Sequence, residues 1–192
     1  MKDEEKAYNR GAKESRTEGS DIRAPKVSVA ECNYIAGFLD GDGSIMAQLV
    51  KRNGYKLGFQ VRVSIVFYQK TSHQKHLLWL KEQLGYGYIR DRKDGMSEYT
   101  IVGLREVEYV LTLLYPFLRL KKKLAAEVLA IIRQHPQQRK MTKFKLIALS
   151  KLVDKTASFN YSKKRTNTSV QVIAFLDMIS VPVETDSALA GR

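Results

Sequence analysis

The sequence predicts an α+β fold in which a helix precedes two strands, a second helix precedes two more strands, and a third helix closes an αββαββα core with further helices behind it. Segments 44–52 and 59–69 alternate polar and apolar residues, a pattern typical of strands with one buried face. A second pair, 87–92 and 96–103, is joined by an Asp-Gly turn, which favours a hairpin. Apolar residues at helical spacing precede, separate and follow the two pairs.

The first helix ends in an unusual way. Ser28 and Glu31 form a capping box at its start, and we predict that it runs to about Asp40. Gly37 lies mid-helix, where glycine costs about 1 kcal/mol relative to alanine, and Asp40 and Asp42 lie where the helix dipole is already negative. Local rules broken together indicate a functional site, here a place for a divalent cation. A buried helix capped by an Asp-Gly turn is the alternative.

Charge is the strongest global observation. The 192 residues carry 33 Lys and Arg against 20 Asp and Glu, a formal net charge of +13. Residues 1–27 hold seven basic and six acidic side chains, so the rest of the chain carries a net +12. A basic folded region predicts a polyanionic partner, with nucleic acid well ahead of an anionic membrane surface.

Other counts exclude several classes of protein. One cysteine, Cys32, excludes a disulfide framework, and His73, His76 and His135 alone give no ligand set for a structural zinc. No apolar run is long enough to span a bilayer, and the first residues lack the features of a signal or transit peptide. We expect a soluble intracellular protein with a charged, disordered arm at 1–27, a folded domain at 28–180 and a flexible tail at 181–192.

Five further helices are predicted. One starts at a Ser72 cap and is closed by Gly85. The others cover about 105–114, 124–134, 141–157 and 169–179. Lysines at 121–123 stand at a helix start, where the dipole prefers acids, so they predict either a phosphate contact or solvated side chains. The basic loop 160–169 is a candidate clamp on a phosphate backbone.

The outward face of the predicted strands mixes cationic, hydrogen-bonding and apolar groups. On the first pair it carries Ser44, Met46, Gln48, Val50, Arg52, Gln60, Arg62, Ser64, Val66 and Tyr68, and on the second pair Tyr88, Arg90, Arg92, Glu98 and Thr100. Such a mixture suits the reading of base edges in a major groove. Simple exposure to water is the alternative.

The stretch 34–43, Tyr-Ile-Ala-Gly-Phe-Leu-Asp-Gly-Asp-Gly, resembles the signature motif of the LAGLIDADG homing endonucleases. Most of residues 30–180 is similar to the single-motif, intron-encoded members found in algal organelles and some archaea. The resemblance implies a curved antiparallel sheet saddled on the DNA major groove, and places the protein in an organelle or in archaeal or bacterial cytoplasm.

The resemblance also implies site residues. Asp42 matches the metal ligand of the family motif, with Gly41 beside it in the metal site. Gln69 matches a glutamine that positions water, and Lys121 matches the active-site lysine. Lys123 and His73 fall at outer positions of the catalytic site, although family members often have arginine where His73 stands.

Base-contacting positions of the family nearly coincide with the outward face chosen by alternation. They fall on Met46, Gln48, Val50, Arg52, Tyr55, Gln60, Arg62, Val66, Tyr68, Arg90, Arg92, Glu98 and Thr100. Lys163 is the implied backbone contact, with Asn167 a weaker match.

One motif per chain implies a homodimer, because a symmetric site must act on both DNA strands. The implied interface is the motif helix, through Tyr34, Ala36, Gly37, Leu39 and Asp40. The implied activity is hydrolysis of both strands of a long pseudo-palindromic DNA target with Mg²⁺, for which Mn²⁺ substitutes, while Ca²⁺ binds without supporting cleavage. Two alternatives stay open: a maturase that assists intron RNA splicing, and a non-catalytic DNA-binding regulator.

Overall fold

The structure is a computed structural model that describes residues 27–136, 140–159 and 166–179. Apart from Val27, the predicted arm and tail lie outside these ranges, as does Lys163 with most of its loop. The elements in order are α1 Val29–Asp42, β1 Gly43–Lys51, β2 Phe59–Lys70, α2 Gln74–Leu84, β3 Tyr88–Asp91, β4 Met96–Val102, α3 Leu104–Leu114, α4 Lys122–Gln134, α5 Lys143–Thr156 and α6 Ser169–Met178. The predicted αββαββα order is confirmed, with α4 to α6 following the core.

The four strands form one antiparallel sheet in the order β1-β2-β4-β3. The apolar residues that alternate along β1 and β2 are buried beneath the helices, as the period-two pattern predicts. Phe67 stacks on Tyr99 from the sheet and on Phe38 from α1, with ring centroids 5.8 and 5.9 Å apart. The helices therefore cover one face of the sheet and leave the other face outward.

The start of α1 is as predicted, but its end lies two residues further on. The Ser28 hydroxyl accepts from the Glu31 N–H at 3.2 Å, and the Glu31 carboxylate accepts from the Ser28 N–H at 2.8 Å. Strand β1 begins at Gly43 with no intervening loop. A Cβ at Gly43 would lie 2.5 Å from Leu39 Cδ1 and 2.9 Å from Leu39 Cα, so this direct turn from helix to strand requires glycine.

Other helix and turn predictions have mixed outcomes. Gly85 closes α2 at a φ of 75°, and Gly95 turns the β3–β4 hairpin at a φ of 76°. Thr168 caps α6 through a box with Gln171. The predicted Ser72 cap is wrong, because Ser72 lies inside a 3₁₀ turn, Thr71–His73, and α2 starts at Gln74 with no side-chain cap. No helix of the described ranges is long and apolar enough to cross a membrane.

Candidate active site and nucleic-acid interface

Asp42 is the last residue of α1, and its side chain is exposed. Within the described ranges it forms no hydrogen bond or ion pair. In the last helical turn the Leu39 carbonyl accepts the Gly43 N–H and the Asp40 carbonyl accepts the Lys121 ammonium, whereas the Gly41 carbonyl has no donor farther along the helix. A free carboxylate, carbonyl oxygens and a negative helix end together suit a hard divalent cation.

A single chain does not complete such a site from its own side chains. The described residues contain no group of three His, Cys, Asp or Glu side chains that could hold a metal. Hard cations take six or more oxygen ligands. The remaining ligands would therefore come from water, from DNA phosphates or from a second copy of the chain.

Asp40 has a different role from Asp42, although the two lie two residues apart. Its carboxylate accepts three consecutive backbone N–H groups, from Arg119 at 2.7 Å, Leu120 at 3.1 Å and Lys121 at 2.9 Å. The Lys121 ammonium also donates to the Asp40 carbonyl. Its carboxylate is thus engaged inside its own chain, and a contact of Asp40 with a second copy stays a prediction.

Lys121 interacts electrostatically with both acidic residues. Burial lowers the pKa of its ammonium, and the carboxylates of Asp40 and Asp42 act in the opposite direction. The structure thus brings Lys121 to the end of α1, in the electrostatic field of Asp42. A cation held there is suited to offset negative charge on a phosphate.

Gln69 approaches the same place from the sheet. Gly43 pairs with Phe67, so Gln69 lies two residues beyond the paired end of β1, on the strand beside the end of α1. Its side-chain oxygen accepts from the Lys70 N–H at 2.9 Å. His73, at the end of the 3₁₀ turn, and Lys123, in the first turn of α4, are exposed, and within the described ranges neither forms a hydrogen bond or ion pair with Asp42.

A polar network behind Gln69 was not predicted. Ser97, which pairs with Gln69, is fully buried, and its hydroxyl lies 2.6 Å from Asp91 Oδ1 and 3.0 Å from Thr71 Oγ1. Gln74 donates to the same Asp91 carboxylate. The network ties the turn after β2 to the edge strand β3. Each member is an ordinary polar residue of a turn, a strand or a helix start, so the sequence carried no signal for the network.

The outward face of the sheet presents most of the predicted DNA contacts. Met46, Gln48, Val50, Arg52, Gln60, Arg62, Tyr68, Arg90, Arg92 and Glu98 are exposed or partly exposed, and Tyr55 stands in the β1–β2 loop. Several are paired within the chain: Arg52 donates to Gln60 at 3.2 Å, and Arg90 lies 2.6 Å from Glu98. These groups lie on one surface, and their pairing holds them in defined orientations.

Two predicted contacts are less accessible than expected. Val66 and Thr100 lie on the outward face but are each only 4% exposed, and the adjacent Ser64 is 2% exposed. Val66 pairs with Ser44 on one side and Thr100 on the other, in the middle of the sheet. Thr100 pairs in turn with Tyr88, so both residues have a paired strand on each side. Asn167, the weaker match for a backbone contact, instead donates to the Leu49 carbonyl at 2.9 Å.

The exposed side of α1 differs from the predicted interface. Ala36 and Leu39 are fully buried in the core of their own chain, which corrects the prediction that they contact a partner. The open stripe consists of Tyr34, Gly37 and Gly41, spaced at helical intervals. A Cβ added at either glycine meets nothing within 4 Å.

Comparison of the sequence with known proteins identifies a family and close relatives of the chain. A family model described as LAGLIDADG endonuclease matches residues 35–131, half of the chain. The DNA endonuclease I-CreI of Chlamydomonas reinhardtii is 41% identical over 147 residues, covering 77% of this chain and 89% of that relative. The chain belongs to the LAGLIDADG endonuclease family. The DNA endonuclease I-CvuI of Chlorella vulgaris is also 41% identical, over 69% of this chain and 81% of its own length.

Solved structures agree with this assignment. A crystal structure of the homing endonuclease I-CvuI in complex with its target, in the presence of 2 mM Ca, has a TM-score of 0.75 at 37% identity and covers 78% of this chain and 94% of its own. A second, with 2 mM Mg and uncleaved DNA, has a TM-score of 0.76. The predicted family, α+β fold and class of enzyme, a DNA endonuclease, are confirmed.

Proposed function

We propose that this LAGLIDADG endonuclease acts as a homodimer that hydrolyses both strands of a long pseudo-palindromic double-stranded DNA target, as in intron homing. The observation that carries the proposal is Asp42: one exposed carboxylate at the end of each motif helix, without a hydrogen-bond or ion-pair partner in the described ranges. Two phosphodiesters on opposite strands need two such carboxylates. Two copies of the chain supply them.

The open stripe on α1 supports a two-fold dimer. Glycines at 37 and 41 let the backbone of a second helix approach closely, as small residues at this spacing do elsewhere. Tyr34 contacts His76 and Trp79 edge-on but is still 54% exposed, and Leu120 is 79% exposed, so both present large apolar surface in the single chain. In an isologous contact through this stripe the same patch meets itself, so both Asp42 carboxylates come together near the axis.

The oxygen ligands at the end of α1 fit Mg²⁺. The Asp42 carboxylate and the Gly41 carbonyl would hold it, and a bound cation supplies Lewis-acid activation of water and of the scissile phosphate. Mn²⁺, with similar oxygen preference, would substitute for it. Ca²⁺ would bind the same oxygens without supporting cleavage.

The chain's own residues complete the mechanism. Lys121 places its ammonium beside the end of α1 and offsets the negative charge that develops on the phosphate. Gln69, just beyond the paired end of β1, orients the attacking water through its amide. His73 and Lys123, exposed at the rim, contribute to the surrounding hydrogen-bond network. The rate enhancement comes from positioning and from charge, because the protein forms no covalent bond with the phosphoryl group.

The outward face of the sheet reads the target in the major groove. Gln and Arg side chains such as Gln48 and Arg62 match base-edge acceptors and donors, and apolar residues such as Met46 and Val50 suit thymine methyl groups. Phosphate contacts, including Lys163, hold the register without reading sequence. In this role the protein acts inside the organelle or cytoplasm that contains its target DNA.

We expect target binding to weaken steeply with salt. Each neutralised phosphate contributes a slope of about −0.9 to log K against log salt, so on the order of eight contacts give about −7. The slope is measured by fluorescence anisotropy of a labelled target at salt concentrations from about 50 to about 200 mM. Lys163→Ala should reduce its magnitude by about 1 per copy. A nearly flat response would contradict the DNA-facing surface.

The experiment that tests the function is cleavage of a plasmid carrying the joined flanking exons, the presumed intronless allele. Wild-type protein should cut both strands when Mg²⁺ is present and none when it is chelated. Binding without cutting in any divalent metal would favour the two alternatives, an intron RNA maturase or a non-catalytic regulator. Binding of intron RNA in preference to the duplex would separate the maturase from the regulator.

A further inference from the structure

We propose that Asp40 is a positioning residue that acts through Lys121: it fixes the backbone of residues 119–121 and so holds the Lys121 ammonium at the end of α1. The role of Lys121 in cleavage rests on the function proposed above. The fixing of the loop rests on the geometry alone. Neither the family match nor the relatives' names assign a role to Asp40.

The contacts form a clamp between segments about 80 positions apart in sequence. Both Asp40 oxygens take part: Oδ2 accepts from Arg119 and Leu120, and Oδ1 accepts from Lys121. On its other side the loop is anchored by Leu118, which is 1% exposed and whose N–H donates to the Leu114 carbonyl at 3.2 Å. The loop is therefore held at both ends.

Lys121 is fixed from three directions. Its N–H donates to Asp40, its carbonyl accepts the first hydrogen bond of α4 from Ala125 at 2.8 Å, and its ammonium returns to the Asp40 carbonyl. A flexible lysine side chain normally loses about 2 kcal/mol of rotamer entropy when it is held in place. A backbone fixed in advance reduces what must be ordered when DNA binds.

The clamp also explains the lysines at the start of α4. A helix start favours negative charge, yet the first turn of α4 contains no acid and begins with Lys122 and Lys123. The Asp40 carboxylate, carried by α1, lies on the N–H groups at and just before the start of α4 and supplies the missing charge. The two motif carboxylates thus differ in their contacts. The Asp40 carboxylate accepts hydrogen bonds from its own chain, whereas the Asp42 carboxylate accepts none in the described ranges.

The test is a double-mutant cycle of Asp40→Asn and Lys121→Met. The amide keeps the size of the side chain but replaces one acceptor oxygen with an N–H₂ group facing backbone donors. Single-turnover cleavage of saturated target DNA by Asp40→Asn should be slower by roughly 10- to 100-fold, the cost of misplacing a catalytic group by about 1 Å. DNA affinity should stay within about twofold, since no phosphate or base contact is removed.

The effect of Asp40→Asn in Lys121→Met protein shows whether Asp40 acts through Lys121. In Lys121→Met protein, Asp40→Asn should add almost nothing to the loss, because residues that act through one another are not additive. An equal factor in both backgrounds would overturn the proposal and point to an effect on Asp42 instead. Should Asp40→Asn fail to fold, Asp40→Glu, which keeps the charge but shifts it by one methylene, takes its place in the same cycle.

A matched control lies in the C-terminal helices. The Asp154 carboxylate on α5 accepts the Ser169 N–H at the start of α6 at 2.9 Å. Asp154→Asn should lower the melting temperature while leaving the single-turnover rate unchanged. If it slowed cleavage as much as Asp40→Asn does, loss of a backbone cap in general would be the cause, and the positioning role would be refuted.

Hydrogen exchange gives a readout that does not depend on cleavage. In DNA-free and metal-free protein, the amides of residues 119–121 should exchange at least about tenfold faster in Asp40→Asn than in wild type, as when a protecting hydrogen bond is lost. Asp154→Asn should leave them unchanged. Unaltered exchange in Asp40→Asn would refute the clamp. If wild type cut no DNA, the proposed function would fail while the exchange result would still decide whether Asp40 fixes the loop.

Discussion

Asp42→Asn should abolish cleavage while leaving DNA binding intact. We expect a loss of at least about 1000-fold, which corresponds to about 4 kcal/mol of transition-state stabilisation. The reason is that the Asp42 carboxylate is exposed and makes no hydrogen bond or ion pair in the described ranges, so the amide removes the proposed metal ligand and little else. Single-turnover cleavage in Mg²⁺ and anisotropy in Ca²⁺ measure the two quantities on the same target.

Another exposed carboxylate provides the control for that variant. Asp177 on α6 pairs with Lys143 at 3.0 Å and is 65% exposed. Because exposed pairs contribute at most about 1 kcal/mol, Asp177→Asn should change neither rate nor affinity detectably. Full cleavage activity in Asp42→Asn would show that the metal-site assignment is wrong. Splicing assistance that survives the substitution would identify a maturase role.

Much of the fold followed from periodicity. The alternation of polar and apolar residues predicted the buried face of β1 and β2 correctly at every position. This pattern is reliable because a shift of one residue in register would expose Ile45 and Ile65 together. The same rule could not predict that Val66 and Thr100, on the opposite face, would be covered. Both lie on central strands with a paired strand on each side, a position that is set by strand order and not by local sequence.

The motif helix was harder to orient from sequence. Apolar and small residues occur on every side of α1, so the sequence pattern does not show which side faces the core. Ala36 and Gly37 look equivalent as small neighbours, yet they point about 100° apart, and only Gly37 is exposed. The predicted interface residues Ala36 and Leu39 were therefore wrong, and Gly41 was predicted only as part of the metal site.

Asp40 and Asp42 show a similar limit. Both are acidic residues at a helix end, and the sequence offers no reason to give them different roles. The difference comes from the loop before α4, whose backbone N–H groups meet Asp40 from a distant part of the chain. Family resemblance selected Asp42 as the metal ligand. Only tertiary structure shows that Asp40 is engaged within its own chain.

Substitution of Gly37 should affect the stability of the single chain and the affinity of the dimer in opposite directions. A Cβ at this position meets nothing within 4 Å, so Gly37→Ala should raise the stability of the single chain by about 1 kcal/mol through helix propensity. Gly37→Leu should also fold, yet it places a large side chain where the second helix approaches. Overpacking costs about 1–3 kcal/mol for each inserted side chain, and a two-fold interface contains two of them.

We therefore expect Gly37→Leu to weaken dimerisation by at least about 100-fold, equivalent to about 3 kcal/mol, and to lose double-strand cleavage with it. Sedimentation equilibrium without DNA measures the first effect, and thermal melting reports the stability of the chain. Gly54→Leu is the matched control, because Gly54 lies in the β1–β2 loop with equally open surroundings. A Gly37→Leu protein that remained dimeric would place the interface elsewhere, and the two Asp42 carboxylates would no longer be brought together by α1.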